Sequence, residues 1–299
     1  MKNILVVGDL ILDGYKEGTV DRISPEAPVP VLNVNNSYYR LGGACNLVAN
    51  LSGLGYSPYV LGCVGDDKEG RTLLSEVNKI ATTFVKIDDF PTTTKTRFCS
   101  LGQQILRVDR ESIEPKDLFL QLSYLKDKKF DYIIISDYAK GVVTYDLISQ
   151  LLYNYHDSCF ILDPNINNVG IYNRFDELVF DYITPNLKEA EALNLRRNNS
   201  LSDIAQSITR LSKEVIITLG KHGMYVLYLS NGEYYFKQFP TISNDSVIDV
   251  SGAGDTVVAG FVDGLIMGKT VLESTYYAQS LAQIVVRKKG TYAIKKEDL

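Results

Sequence analysis

The sequence predicts an α/β protein, with a mostly parallel sheet, helices on both of its faces and a small β-sheet lid. Three observations predict it. Short, nearly continuous apolar runs alternate with helical patterns along most of the chain, as strands buried on both faces do. The composition is that of ordinary globular protein, 45% hydrophobic and 22% charged over 299 residues. Two stretches, 10–40 and 90–110, break the βα rhythm and suit a separate small sheet.

Taken in order, Ile4–Val7 is a strand closed by Gly8. Further strands are expected at Tyr59–Val64, Tyr132–Ile135, Cys159–Leu162, Tyr182–Thr184 and Val215–Thr218. Over Ala44–Leu54, the residues Ala44, Leu47, Val48, Leu51 and Leu54 share one helical stripe, and Gly55 supplies a stop. Val257–Met267 and Leu272–Val286 read as helices. Within Tyr15–Asn36, Pro25, Pro28 and Pro30 disfavour helix and cannot donate to a ladder. Thr92–Asp109 is rich in Thr, Phe, Ile and Val and alternates as antiparallel strands do. Both stretches read as the lid, with long surface loops as the alternative. No repeat, low-complexity tract or linker marks a boundary, so 1–299 is expected to form a single domain.

Several function classes are disfavoured. The net charge is −5 and no dense basic run is present, so no nucleic-acid partner is expected. Arg196–Arg197 and Arg287–Lys289 read as solvated helix ends. Ile4–Val7 is too short for a signal-peptide core, and no run approaches the roughly eighteen apolar residues of a membrane span. No membrane partner is expected, and the cytoplasm is the expected location. Cys45, Cys63, Cys99 and Cys159 are scattered and read as buried, reduced thiols. His156 and His222 have no ligand-type partner one helical turn away, which serves neither a histidine metal site nor a serine–histidine hydrolase.

The sharpest chemical signal is Asp249-Val-Ser-Gly-Ala-Gly-Asp-Thr256, followed by a helical run. Small residues at Ser251, Gly252, Ala253 and Gly254 let backbone N–H groups converge on an anion. The helix start adds its own orphan N–H groups and positive dipole end. A carboxylate at that point, Asp255, is placed to take the proton of an attacking hydroxyl. Alone, the stretch also fits a glycine turn with Asp255 as helix N-cap. No Gly-x-x-x-x-Gly-Lys-[Ser/Thr] is present, so this is not a P-loop enzyme.

These residues resemble a known family. Ser251–Thr256 is similar to the second signature of the ribokinase (PfkB) carbohydrate kinases, and Leu41-Gly-Gly-Ala-Cys-Asn46 to their first. Thr184-Pro-Asn-Leu-Lys-Glu189 resembles their Asn-x-x-Glu element. Within the family, one branch fits better. Gly8–Asp13, Arg22-Ile-Ser-Pro-Glu-Ala-Pro-Val-Pro30, Thr94–Arg97, Gln103–Asp109 and Ser136-Asp-Tyr-Ala-Lys-Gly141 are similar to the D-glycero-β-D-manno-heptose-7-phosphate kinases. Many of those are fused to an adenylyltransferase. This chain ends at Leu299 and resembles the stand-alone kinase.

The resemblance implies a ribokinase-like fold, ATP with Mg²⁺ and a sugar-phosphate substrate, and the unpaired edges of an isolated small sheet point to a homodimer formed through the lid. It implies Asp255 as base, with Gly252, Ala253 and Gly254 as its anion hole. Asp9, Asp13, Arg22, Gly42, Gly43, Asn46, Lys95, Arg97, Arg107, Asp137 and Lys140 are the implied sugar-phosphate residues. Arg97, then Arg107, leads for the phosphate. Asp9 and Asp13 also fit turn or capping roles, and Lys95 and Arg97, which share a strand face, also fit a solubilising sheet edge. On the nucleotide side it implies Asn186, Glu189, Thr218, Gly220, Gly223, Ser251 and Gln279, with Glu189 reaching Mg²⁺ through water. Thr218–Met224 also fits a plain turn, and Glu189 a helix-face residue after an Asn186 cap. Three positions depart from the pattern: Asn165 stands where lysine is usual and Gln279 where asparagine is common. The bulky Arg287–Gly290 segment lies where a monovalent cation would bind.

Overall fold

The computed structural model describes residues 2–175, 178–195, 200–242 and 247–299. Arg196–Arg197 fall outside the described residues. The chain begins with β1 (Ile4–Gly8), followed by the hairpin β2 (Leu10–Ile23) and β3 (Pro30–Gly43). Next come α1 (Ala44–Gly53), β4 (Tyr59–Gly65), α2 (Lys68–Val77) and β5 (Thr82–Asp88). A second hairpin, β6 (Thr94–Ser100) and β7 (Gln103–Arg110), precedes α3 (Phe119–Ser123), β8 (Tyr132–Ser136) and α4 (Tyr145–Asn154). Then follow β9 (Cys159–Asp163), α5 (Val169–Tyr172), β10 (Phe180–Ile183), α6 (Leu187–Leu193), α7 (Leu201–Ile208) and β11 (Ser212–Thr218). The antiparallel β12 (Met224–Ser230) and β13 (Glu233–Phe239) lead into α8 (Ala253–Ile266) and α9 (Val271–Val285).

The large sheet has the order β13-β12-β11-β10-β9-β8-β1-β4-β5, parallel from β11 to β5. Its apolar strands serve two cores. Ile4 and Val6 of β1 face α1, α2, α8 and α9, while Leu5 and Val7 face the helices from α3 to α7. That period-two split is why β1 reads as continuously apolar.

The second sheet has the order β3-β2-β6-β7, two antiparallel hairpins joined by a parallel β2–β6 pairing. Pro25 and Pro28 lie in the turn between β2 and β3, and Pro30 is the first residue of β3, where a missing N–H is tolerated. The chain reverses its direction of travel across the large sheet beside β1 and β8. Open α/β sheets bind ligands at the carboxyl ends of strands at such a switch point. The segments leaving β1 and β8, Asp9 and Asp137–Gly141, lie there.

One expected boundary shifts. The last-but-one helix begins at Ala253 rather than Val257, so Gly254 and Asp255 belong to its first turn. Asp255 is not an N-cap: Gly252 holds that position, at φ 81°, and a side chain there would run into the Asn46 amide.

Candidate active site

Two small cavities meet at the start of α8. The first, about 110 Å³, is lined by Ile11, Asp13, Gly43, Lys95, Arg97, Tyr138, Ser251, Gly252, Asp255 and Thr291. The second, about 150 Å³, lies beside it. Acidic and amide side chains line it: Asp137, Asp163, Asn165, Asn186 and Glu189, together with Thr184, Thr218 and Gly254. Wider clefts of about 510 and 570 Å³ lie at the amino ends of β8, β9 and β10, on the wrong edge of the sheet for a switch-point site.

Asp255 is 3% exposed. Asn46 Nδ2 donates to its Oδ2 at 2.6 Å, and the Tyr138 hydroxyl donates to its Oδ1 at 2.7 Å. Burial pushes its carboxyl up to about 6, against the two hydrogen bonds, which pull the other way. Asn46 is held from α1 by Asn50, whose Nδ2 donates to the Asn46 carbonyl. The Asn50 Oδ1 accepts from Thr256 Oγ1 and from the Ile294 backbone N–H. One buried asparagine thus ties α1, α8 and the C-terminal segment together.

On the small-sheet side, Arg97 pairs with Asp13 at 2.7 Å, both nearly buried. The other Asp13 oxygen accepts from Thr291 Oγ1 at 2.8 Å. Gly42 packs against this carboxylate so closely that a Cβ would clash with it. The Arg97 guanidinium lies over the Tyr15 ring, and the Lys95 ammonium lies 5.5 Å from the Tyr138 ring centroid. Burial holds the Lys95 ammonium below the usual lysine range. Register places Lys95 opposite Asp13, and Arg107 opposite Arg97. Arg107 is half-exposed, pairs with Asp109 and lines neither cavity. Arg22 is exposed near the far end of β2 and also lines neither.

Asp9 is buried where the chain leaves β1. Its carboxylate accepts from the backbone N–H groups of Tyr138, Lys140 and Val142, fixing the loop after β8. Lys140 turns away to Glu111 at 2.8 Å. Asp137 accepts from Asn168 and Tyr172, and burial, then the Asp9 charge, pushes its carboxyl up to about 7.

In the acidic cavity, Asn186 and Glu189 form a capping box at the start of α6. Thr184 Oγ1 donates to Asp163 at 3.1 Å. Burial first, then the Asp255 and Glu189 charges, push Asp163 well up; burial also raises Glu189. Gly220 and Gly223 sit in the tight turn that joins β11 to the antiparallel β12, next to Thr218. Ser251 lines the acceptor-side cavity, not the acidic one. Gln279, buried in α9, donates to the Pro240 carbonyl at 2.9 Å. In the 287–290 segment, Lys289 pairs with Glu17 of β2 at 2.6 Å, and Gly290 N–H donates to Asp249. Asn50, Tyr138, Asp163 and Thr291 are site residues that sequence reasoning did not single out. Tyr138 lay inside a quoted motif, but nothing local marks a tyrosine as the partner of an aspartate 117 positions away.

A buried carboxylate in the first turn of a helix, between a cavity that holds Lys95 and Arg97 and an acidic one, suits phosphoryl transfer to a hydroxyl. The comparisons agree. The family model of the pfkB family carbohydrate kinases matches residues 1–298, and the chain belongs to that family. By class it is an ATP-dependent sugar kinase. Among curated relatives, it is 36% identical to the bifunctional protein HldE of Helicobacter pylori, over 100% of this chain and 66% of that protein. It is 35% identical to HldE of Magnetococcus marinus, over 100% of this chain and 63% of that protein. The chain thus spans slightly less than two thirds of the length of these relatives. Among solved structures, phosphofructokinase-2 from Escherichia coli shares the fold at TM-score 0.78 and 18% identity, covering 100% of this chain and 97% of that one. Ribokinase from Arabidopsis thaliana, complexed with ribose and ATP, does so at TM-score 0.71 and 19% identity, covering 100% and 98%. Among the described residues, no helix is long and apolar enough to cross a membrane.

Proposed function

We propose that the chain transfers the γ-phosphoryl group of ATP to the anomeric hydroxyl of D-glycero-β-D-manno-heptose 7-phosphate, giving the 1,7-bisphosphate. The observation that carries this is the seat of Asp255. It lies on the wall of the cation-lined cavity, one residue from Gly254 in the acidic cavity. Sugar in the first cavity and polyphosphate in the second meet at the start of α8.

The acceptor oxygen attacks the γ-phosphorus, its proton passes to Asp255, and the bond to the ADP oxygen breaks. A carboxyl near 6 is ionised at neutral pH yet more basic than a surface carboxylate, which suits a general base. The first-turn N–H groups of α8 and its dipole face the charge that develops on the phosphoryl oxygens.

Mg²⁺ fits the acidic cavity. None of the described residues lining it is a lysine or arginine, while Asp137, Asp163 and Glu189 are carboxylates, so a polyphosphate needs a cation there. Glu189, Asn186 and Asp163 offer the hard oxygen ligands that Mg²⁺ takes, usually with several waters retained. When bound, the ion neutralises charge on the β- and γ-phosphate oxygens.

The choice of a heptose 7-phosphate rests on the Arg22–Pro30 stretch, on the HldE relatives, and on Lys95 and Arg97 beside Asp13. A phosphate on the sugar would meet those two cations while the anomeric hydroxyl meets Asp255. We further propose a cytoplasmic homodimer formed through the small sheet. Its outer strand β7 is exposed along its length and carries Ile105, Leu106 and Val108. An open edge of that kind is stabilised by a second copy. The test is ³¹P NMR of the product: a new phosphate on the anomeric carbon is expected, and phosphorylation at any other oxygen would refute the assignment.

A further inference from the structure

Both oxygens of Asp255 already hold a donor, and the two donors differ. Asn46 is 1% exposed in α1 and is braced by Asn50. Tyr138 sits on the loop after β8, in which Ala139 takes φ 55°, a left-handed angle that a non-glycine residue keeps only when its surroundings hold it. Among the described residues, Tyr138 is the one that lines both cavities. Its phenol therefore stands where the donor and acceptor sites meet, on the carboxylate oxygen that an acceptor hydroxyl has to reach.

We propose that Tyr138 is a positioning residue whose hydroxyl occupies the acceptor's place on Asp255 Oδ1, so that the sugar must displace it, and that until then it keeps water off the base. This rests on Asp255 being the general base. A phenol and a sugar alcohol are the same kind of O–H donor to a carboxylate, so one can replace the other at little cost to Asp255. Burial and the Asp255 charge hold the phenol well above the usual tyrosine range, which keeps it a donor. Without it, water can take the position. Water would then attack the γ-phosphorus, Asp255 would take its proton, and ADP and phosphate would leave. The other charged or titratable groups around Asp255 among the described residues include Asp13 from β2, Lys95 and Arg97 from β6, Asp163 at the end of β9 and Cys45 of α1.

Tyr138→Phe in the full chain tests this. ATP hydrolysis without sugar should rise by about tenfold or more, the scale of one lost charge-assisted hydrogen bond. The KM for the sugar phosphate should fall. The acid limb of kcat/KM, which reports the enzyme without substrate, should move to higher pH because a loosely held water replaces the fixed phenol as donor to Asp255. The acid limb of kcat should stay, because in the complex the sugar hydroxyl supplies that donor. Unchanged ATP hydrolysis, or a kcat limb that moves together with kcat/KM, would overturn the proposal and make Tyr138 a fixed strut. Asp255→Asn, measured in parallel, separates the two ideas. If it keeps its turnover, the base assignment itself fails. If it is inactive while Tyr138→Phe leaves hydrolysis unchanged, only the displacement fails.

Discussion

Asn46 and Asp255 stand 209 positions apart in the chain and meet at 2.6 Å, an amide on α1 donating to a carboxylate on α8. The contact joins the two signature segments into one device. It also tunes the base, because a hydrogen bond to the ionised form lowers a carboxyl that burial has raised. Asn46→Ala removes that donor. The acid limb of kcat/KM, expected near pH 6 in the native protein, should shift to higher pH in the variant. A pH–rate profile checks the direction; an unmoved limb would mean that Asp255 is not the titrating base.

Asp255→Asn should leave the fold and ATP binding in place and lower turnover by about 10²–10⁴-fold, the usual range for loss of a general base. Single-turnover kinetics with a separate nucleotide-binding measurement distinguishes the two effects.

Asn50 is 0% exposed and accepts from both Thr256 and the Ile294 backbone. Asn50→Ala leaves the buried Ile294 N–H without a partner, at about 1–3 kcal/mol, while the Thr256 hydroxyl keeps the Gly252 carbonyl as its acceptor. A lower melting temperature is expected, together with reduced turnover, since Asn46 loses its brace. Thermal unfolding by circular dichroism reads the first effect.

Much of this was legible in the sequence, and the limits have physical causes. Strands buried on both faces announce themselves as apolar runs, and β1, β4, β8, β9 and β11 each contain the run expected of them. The Gly252–Asp255 stretch is readable because only small residues let an anion approach a helix start. The hairpin β12–β13 is not among the expected strands, although Asn231–Gly232, both at positive φ, are the residues that a tight hairpin turn favours. The role of Asp9 was open between ligand and turn residue. Its three bonds to the Tyr138–Val142 backbone come from the parallel pairing of β1 with β8, which no local pattern encodes. Asn50 and Thr291 act through long-range contacts and carry no local mark at all.

Burial also sets a pH dependence of stability. Asp137 rises from 3.8 to about 7 in the folded protein. The folded state therefore holds this proton where the unfolded chain has lost it. The stability it contributes is fully present below about pH 4 and is lost as pH rises through about 7. Asp137→Asn should flatten that decline, so its melting temperature should fall less than that of the native protein between pH 5 and pH 8. Parallel melts across that range test the sign.

The central claim is that Asp255, Lys95 and Arg97 together select a phosphorylated heptose. Losing one charged contact costs about 1.5–3 kcal/mol, roughly ten- to a hundredfold in kcat/KM. The direct measurement is ADP release with D-glycero-β-D-manno-heptose 7-phosphate and with the free heptose, for the native protein and for Arg97→Ala and Lys95→Ala. The account predicts a strong preference for the 7-phosphate that shrinks in both variants while the KM for ATP barely changes. Equal use of free heptose and the 7-phosphate by the native protein would contradict it.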